Sequence, residues 1–299
     1  MNLFYDRSRC RNRSDPLHIF RILFPLLLLP GLALATTAPA DGGHPGKCLQ
    51  TVFEERFDQP WQQLLKRWKT SYVWGNDSVI NNELQYYLQP DRDGASPFST
   101  RDGILTIVAQ PVTPRLKKRI PAGRQYTSGL MTTERHFALK YGRFEIRAKL
   151  PPGRGLWPAF WMLPAFDKWP EGVDILPEID IMEFLGHDRK TYHTTVHSNQ
   201  SGSLRSDSSH HRPGPDLTKG FHDYAVEWDE REIRWYFDDR LLSRKPTPRD
   251  LHRPMYLLIN LAVGGNWPGE PDKHTRFPAR LQIDHVRIRK FSTACGKGD

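Results

Sequence analysis

Nowhere in this 299-residue chain do apolar residues keep the 3.6-residue period of a long helix, which argues against a helical fold. No segment repeats at a period of about 20 to 50 residues, so solenoid and propeller architectures are excluded, and no linker splits off a second domain. No nucleic-acid-binding motif accompanies the basic residues. His193 and His197 share a strand parity, but no third ligand and no His-Glu-x-x-His motif joins them, so metal catalysis is not expected. Cysteine is scarce too: Cys10, Cys48 and Cys295 are the only three.

What is present begins with an exported N-terminus. Residues 1–35 combine an Arg-containing segment ending near Arg21, an apolar core over 22–34 and Ala33-Leu34-Ala35 as an A-x-A site, the pattern of a signal peptide. The apolar stretch, about 14 residues broken by Pro25 and Pro30, is shorter than the ~20 that a bilayer crossing needs. Cleavage near Ala35 is therefore expected to release a secreted protein, extracellular or periplasmic, with no stable membrane association. Residues 36–47, rich in Ala, Pro and Gly, read as a flexible leader.

Removing 1–35 takes away five Arg and two Asp and leaves 38 basic against 32 acidic side chains, a net +6. That excess is compatible with an anionic substrate. Much of it sits in Arg115-Leu116-Lys117-Lys118-Arg119 between Pro114 and Pro121, which reads as a solvated loop. Cys10 leaves with the signal. Cys48 and Cys295 remain as an even pair near the two termini and are expected to form a disulfide; the alternative is two unpaired thiols in frayed tails.

The rest of the chain shows short strand-like runs, such as 103–109, 224–228, 232–237 and 282–288, separated by Gly, Pro, Asn and Asp turns. This is the pattern of an all-β sandwich. Asp238-Asp239 marks a hairpin turn after Phe237, and Asp229-Glu230-Arg231 marks the turn before it.

The informative segment is Glu178-Ile179-Asp180-Ile181-Met182-Glu183, three carboxylates inside an apolar run. Strand alternation puts Glu178 and Asp180 on one face and Ile179 and Ile181 on the other. Glu183, at i+5, joins the first two only if a β-bulge at Ile181-Met182 accommodates one extra residue. Three like charges on one face raise one another's pKa values, so some hold protons. A carboxylate beside a carboxylic acid suits glycoside hydrolysis. Alternate strand positions separate carboxyls by about 5–7 Å, near the spacing of a retaining enzyme. A solvated acidic face or a set of oxygen ligands for a hard cation are the competing readings. Upstream, Trp157 and Trp161 in Gly155-Leu156-Trp157-Pro158-Ala159-Phe160-Trp161-Met162-Leu163-Pro164 share a parity, and aromatic rings stack well on sugar faces.

These residues resemble glycoside hydrolase family 16, in the subgroup of bacterial laminarinases (endo-1,3-β-glucanases). Asn82-Glu83-Leu84-Gln85-Tyr86-Tyr87, Tyr141-Gly142-Arg143-Phe144-Glu145-Ile146-Arg147-Ala148-Lys149-Leu150-Pro151 and Asn260-Leu261-Ala262-Val263-Gly264-Gly265-Asn266-Trp267-Pro268-Gly269 extend the resemblance, in order, across about residues 53–291. It implies a β-jelly-roll of two antiparallel sheets with a concave substrate cleft, residues 48–299 forming the catalytic domain. By the same resemblance Glu178 is the nucleophile, Glu183 the general acid/base, and Asp180 the group between them that positions the nucleophile. The bulged form with Met182 points to the laminarinase branch.

The resemblance also implies that His197 faces the cleft, that Asn82 hydrogen-bonds a glucose hydroxyl, and that Arg147 points into the cleft. Trp267 either stacks on sugar or pins its loop to the sandwich rim. No catalytic cofactor is implied. A structural calcium on the convex side is, with Asp284 as side-chain ligand and Glu55 and the Gly103 carbonyl as companions. The implied partner is a β-glucan, 1,3-linked or mixed 1,3-1,4, hydrolysed by a monomer. A galactanase of the same family, acting on agar or carrageenan, and a non-catalytic β-glucan-binding protein are the alternatives.

Overall fold

A computed structural model of the chain describes residues 48–166 and 176–293. The signal and leader segments and Cys295, and with it the proposed disulfide, lie outside the described residues. Among those residues the strands run, in chain order, β1 (Cys48–Glu55), β2 (Gln85–Tyr87), β3 (Phe98–Arg101), β4 (Ile104–Pro111), β5 (Tyr126–Ser128), β6 (Leu130–Thr132), β7 (Gly142–Lys149) and β8 (Leu156–Pro164). There follow β9 (Glu178–Phe184), β10 (Tyr192–Ser198), β11 (Arg205–His211), β12 (His222–Trp228), β13 (Glu232–Phe237), β14 (Arg240–Pro246), β15 (Met255–Val263) and β16 (Ala279–Ser292). The α-helices described are single turns, Trp61–Leu64 and Pro90–Asp93, and none is long and apolar enough to cross a membrane.

The strands form two sheets. One has six strands in the order β11-β10-β9-β8-β15-β6; the other has ten, along β14-β13-β12-β7-β16-β4-β5-β2, with β1 on β16 and β3 on β4. Pairing is antiparallel except between β2 and β5. This is the all-β sandwich expected from the strand and turn pattern, with the jelly-roll architecture that the family resemblance implies.

Turn chemistry explains the hairpins. Asp238 and Asp239 both take left-handed φ, 45° and 61°, as a two-residue hairpin turn of matching twist requires. Between β12 and β13, Asp229 Oδ1 accepts from the backbone N–H of Arg231 (2.6 Å) and Glu232 (3.0 Å), closing the turn with its own side chain.

Alternation then decides what each sheet buries. On β7, Phe144, Ile146 and Ala148 enter the core between the sheets; on β15, Leu257, Ile259 and Leu261 meet them from the other side. Side chains of this kind each stabilise the fold by roughly 1.5–3 kcal/mol on burial. A second apolar cluster, including Tyr72, Tyr87, Leu130, Leu163 and Leu258, sits on the outer face of the six-stranded sheet and holds the chain around Tyr72 against it.

Because Phe144, Ile146 and Ala148 face inward, Arg147 must face out of the ten-stranded sheet. There it pairs with Asp223 (2.9 Å) and Asp284 (3.2 Å). This corrects the expectation that Arg147 points into the cleft, which forms on the other sheet.

Candidate active site

The six-stranded sheet carries on its outer face a groove of about 620 Å³, and Glu178, Asp180 and Glu183 all line it. The bulge is what makes this possible. Against β10, Glu183 pairs with His193 but Asp180 pairs with Thr195; against β8, Met182 pairs with Phe160 but Asp180 pairs with Trp161. β9 therefore holds one residue more than each neighbour, between Asp180 and Met182. Ile181 and Met182, though consecutive, both enter the core, each about 1% exposed. Glu183 returns to the face of Glu178 as a consequence.

The carboxyls differ in their surroundings. Trp157 Nε1 donates to Glu183 Oε1 (3.2 Å). His197 Nε2 lies 3.1 Å from Asp180 Oδ2 and 3.9 Å from Glu178 Oε1, while its Nδ1 is 2.8 Å from Ser206 Oγ. Burial, with the neighbouring Asp180 charge adding to it, pushes both Glu178 and Glu183 well above the usual carboxylate range. For Glu183 the hydrogen bonds from Trp157 and Thr195 oppose the rise without cancelling it. One end of the set thus faces an imidazole, and the other faces neutral donors.

Aromatic rings bound the groove. Trp157 and Trp161 line it as strand parity requires. Trp161 Nε1 donates to Asn260 Oδ1 (2.8 Å), and Asn260 Nδ2 donates to the Tyr87 hydroxyl (2.9 Å), so the ring's tilt is fixed by a buried relay. Trp267 lines the groove with 41% of its surface exposed while its edge meets Trp157 and His193 at centroid distances of 5.4 and 4.7 Å. It is both anchored to the rim and open to a ligand.

Asn82 departs from expectation. Its side chain donates to Asn266 Oδ1 (2.8 Å), tying two loops together, and its neighbours Asn81 and Glu83 line the groove in its place. The close approach of these loops needs Gly264: a Cβ there would lie 2.5 Å from Leu84.

Glu83, Tyr72, Trp74 and Asn260 were not singled out from the sequence. Glu83 is a fourth groove carboxyl, raised by burial and only partly lowered by its hydrogen bonds to Gln85 (2.6 Å) and Asn81 (3.3 Å). Tyr72 and Trp74 stack at 4.6 Å. Their nearest signal was composition, aromatic residues close to an acid, with nothing to say that these loops reach β8 and β15.

The residues implied for calcium fit a dication poorly. Glu55 accepts from the Phe57 N–H and from Arg67 Nη1 (each 3.1 Å), and Asp284 faces Arg147. Close by on the same sheet, Glu145, Asp223 and His285 gather, but Arg143, Arg147, Arg287 and Arg289 already neutralise the two acids.

A jelly-roll sandwich with paired acids at the floor of an aromatic groove defines a carbohydrate-active class of protein. The profile described as Glycosyl hydrolases family 16 matches residues 69–287, and the chain belongs to that family. It is 43% identical over 227 residues to an endo-1,3-1,4-beta-glycanase, EglC, of Rhizobium meliloti (strain 1021), covering 74% of this chain and 47% of the relative. To a beta-glucanase of Rhodothermus marinus it is 35% identical over 266 residues, 81% of this chain and 85% of that one. The chain spans about half the length of the Rhizobium relatives it matches. Among solved structures, the laminarinase catalytic domain of Thermotoga maritima superimposes with a TM-score of 0.67 at 36% identity, covering 81% of this chain and 98% of that one.

Proposed function

We propose that this chain is a secreted, monomeric endo-β-glucanase that hydrolyses 1,3-linked glucan, and mixed 1,3-1,4-linked glucan, with retention of anomeric configuration. The observation that carries the reading is the bulge that aims Glu183 to the side of Glu178. In the proposed reaction Glu183 protonates the glycosidic oxygen while Glu178 attacks the anomeric carbon. Water activated by Glu183, now a base, then hydrolyses the covalent glycosyl-enzyme.

The two acids have surroundings suited to these roles. Burial and mutual repulsion hold the set below its full charge, so one carboxylate can attack while another keeps a proton. At Glu183, burial and the Asp180 charge outweigh the hydrogen bonds from Trp157 and Thr195, which favour ionisation, so Glu183 can keep the proton it donates. Asp180, hydrogen-bonded to His197, positions the nucleophile. Trp157, Trp161 and Trp267 supply faces for sugar rings.

The 1,3 and mixed-linkage preference is supported by relatives named as an endo-1,3-1,4-beta-glycanase and as a glucan endo-1,3-beta-glucosidase. Export fits a polymer too large to enter a cell. Cys48 is paired in register with Ser292, and a disulfide between Cys48 and Cys295 remains part of the proposal.

Incubation with laminarin, lichenan, agarose and κ-carrageenan tests the proposal. Oligosaccharides from laminarin and lichenan are expected. Cleavage of the galactans alone would replace it with the galactanase reading, and glucan binding without cleavage would make the chain a recognition protein.

A further inference from the structure

The bulge raises a question of its own: what holds one extra residue in place in the middle of a six-stranded sheet. In a regular antiparallel strand each carbonyl points along the sheet toward a neighbouring strand. At a bulge that ladder is locally disrupted. Here the disruption begins immediately after Asp180, on both of its neighbours at once.

The Asp180 carbonyl receives a donor from outside the sheet. Trp235, fully buried on β13 of the ten-stranded sheet, reaches across the sandwich and donates Nε1–H to Asp180 O at 2.9 Å. The chain does not require every buried indole to be paired, since Nε1 of Trp68 and Trp228, also buried, has no partner. The Trp235 ring is itself braced. Lys245 Nζ lies 5.9 Å from its centroid and is held by Asp207 Oδ1 (2.6 Å) on β11, the edge strand of the groove sheet.

We propose that Trp235 is a positioning residue for Glu183: its indole N–H fixes the Asp180 carbonyl, and thereby the bulge that turns Glu183 into the groove. The proposal rests on the reading of Glu178 and Glu183 as the reacting pair. Without that donor the peptide after Asp180 can rotate toward the ladder, carrying Ile181, Met182 and Glu183 with it. Glu183 then loses its alignment with Trp157 and with the leaving oxygen. Glu178 lies before the break and stays in register with His197.

Trp235→Phe removes the donor and keeps an aromatic ring in the core. Its effect is read as kcat/KM, which covers the steps up to the glycosyl-enzyme, on two substrates. Laminarin needs a proton on its leaving oxygen; a 2,4-dinitrophenyl β-glucoside of a 1,3-linked oligosaccharide does not, because dinitrophenolate departs unaided. The expected result is a loss of about 10- to 100-fold on laminarin, a loss of less than about threefold on the aryl glycoside, and a displaced alkaline limb in the laminarin pH profile. Trp228→Phe should leave the ratio between the two substrates at the parent value.

Equal losses on both substrates, or none on either, would overturn the proposal. If Trp235→Phe does not fold, benzothienylalanine at 235, which keeps the ring size and lacks the N–H, gives the same comparison. A parent protein that cleaves neither substrate would refute the reading of the site itself; a parent that cleaves both, beside a variant with an unchanged ratio, would refute only the role of Trp235.

Discussion

Glu178 and Glu183 are the residues whose chemistry and stability pull in opposite directions. Each has a folded-state pKa above its unfolded value, so the fold binds their protons more tightly than the unfolded chain does. Their contribution to stability is present below the unfolded pKa, about 4.3 for a glutamate, and is lost as pH rises through the raised folded values. Glu178→Gln should therefore raise the Tm at neutral pH, with the gain vanishing below about pH 4, while abolishing turnover and leaving glucan binding intact. A neutral-pH Tm below that of the parent would contradict the burial argument, and undiminished product release would refute Glu178 as nucleophile. Trp267, partly exposed beside the acids, should act through ground-state binding: Trp267→Ala is expected to raise KM about 3- to 10-fold with kcat little changed. Both expectations use residues legible in the sequence: Glu178 from strand parity within the three-acid run, Trp267 from its place in the turn-rich segment 264–269 that resembles the family. Arg147 is misplaced because alternation gives its face but not the sheet its strand joins, and Asn82 because a polar loop residue carries no local signal of what it will meet.

Strand β9 shows why the three-acid motif could be read so far from sequence alone. A carboxylate at i+5 must either enter the apolar core or be re-aimed by a bulge, and the first alternative is far costlier. The observed register shifts and the burial of both Ile181 and Met182 agree with the second. Met182→Ala should cost about 2–4 kcal/mol in stability, measured by denaturant unfolding; a cost near zero would mean that the extra residue is not packed as described. The donor for the bulge could not be read, because Trp235 lies 55 residues further on in the other sheet.

Strand β7 carries the complementary case. Burial pushes Glu145 up, but the His285 ring 3.7 Å away and the guanidinium groups of Arg143 and Arg289, which hydrogen-bond the carboxylate, outweigh it and hold the carboxyl at about 2. Its stabilisation is fully present above the unfolded pKa, about 4.3 for a glutamate, and is lost as pH falls from there through the folded value of about 2. Glu145→Gln should thus destabilise by about 3 kcal/mol at neutral pH, with the deficit shrinking in acid, as denaturant titrations across pH would record. A deficit independent of pH would point to packing in place of charge.

The groove is assembled from distant parts of the molecule. Its floor comes from β8, β9 and β10, which local pattern specified; its wall comes from the chain around Tyr72, Trp74 and Glu83 and from the loop after β15. Those contacts join residues some 180 positions apart, as in the Val263 N–H to Gln85 Oε1 bond of 2.7 Å. No periodicity announces such a contact, which is why the sandwich and the acids were legible and the groove wall was not.

The central claim is that the bulge sets Glu178 and Glu183 for double displacement on a β-glucan. ¹H NMR of the reducing ends formed in the first minutes of laminarin hydrolysis, before mutarotation, tests it directly. The β-anomer should appear first and the α-anomer only later by equilibration. Initial release of the α-anomer would mean single displacement with inversion and would contradict the account.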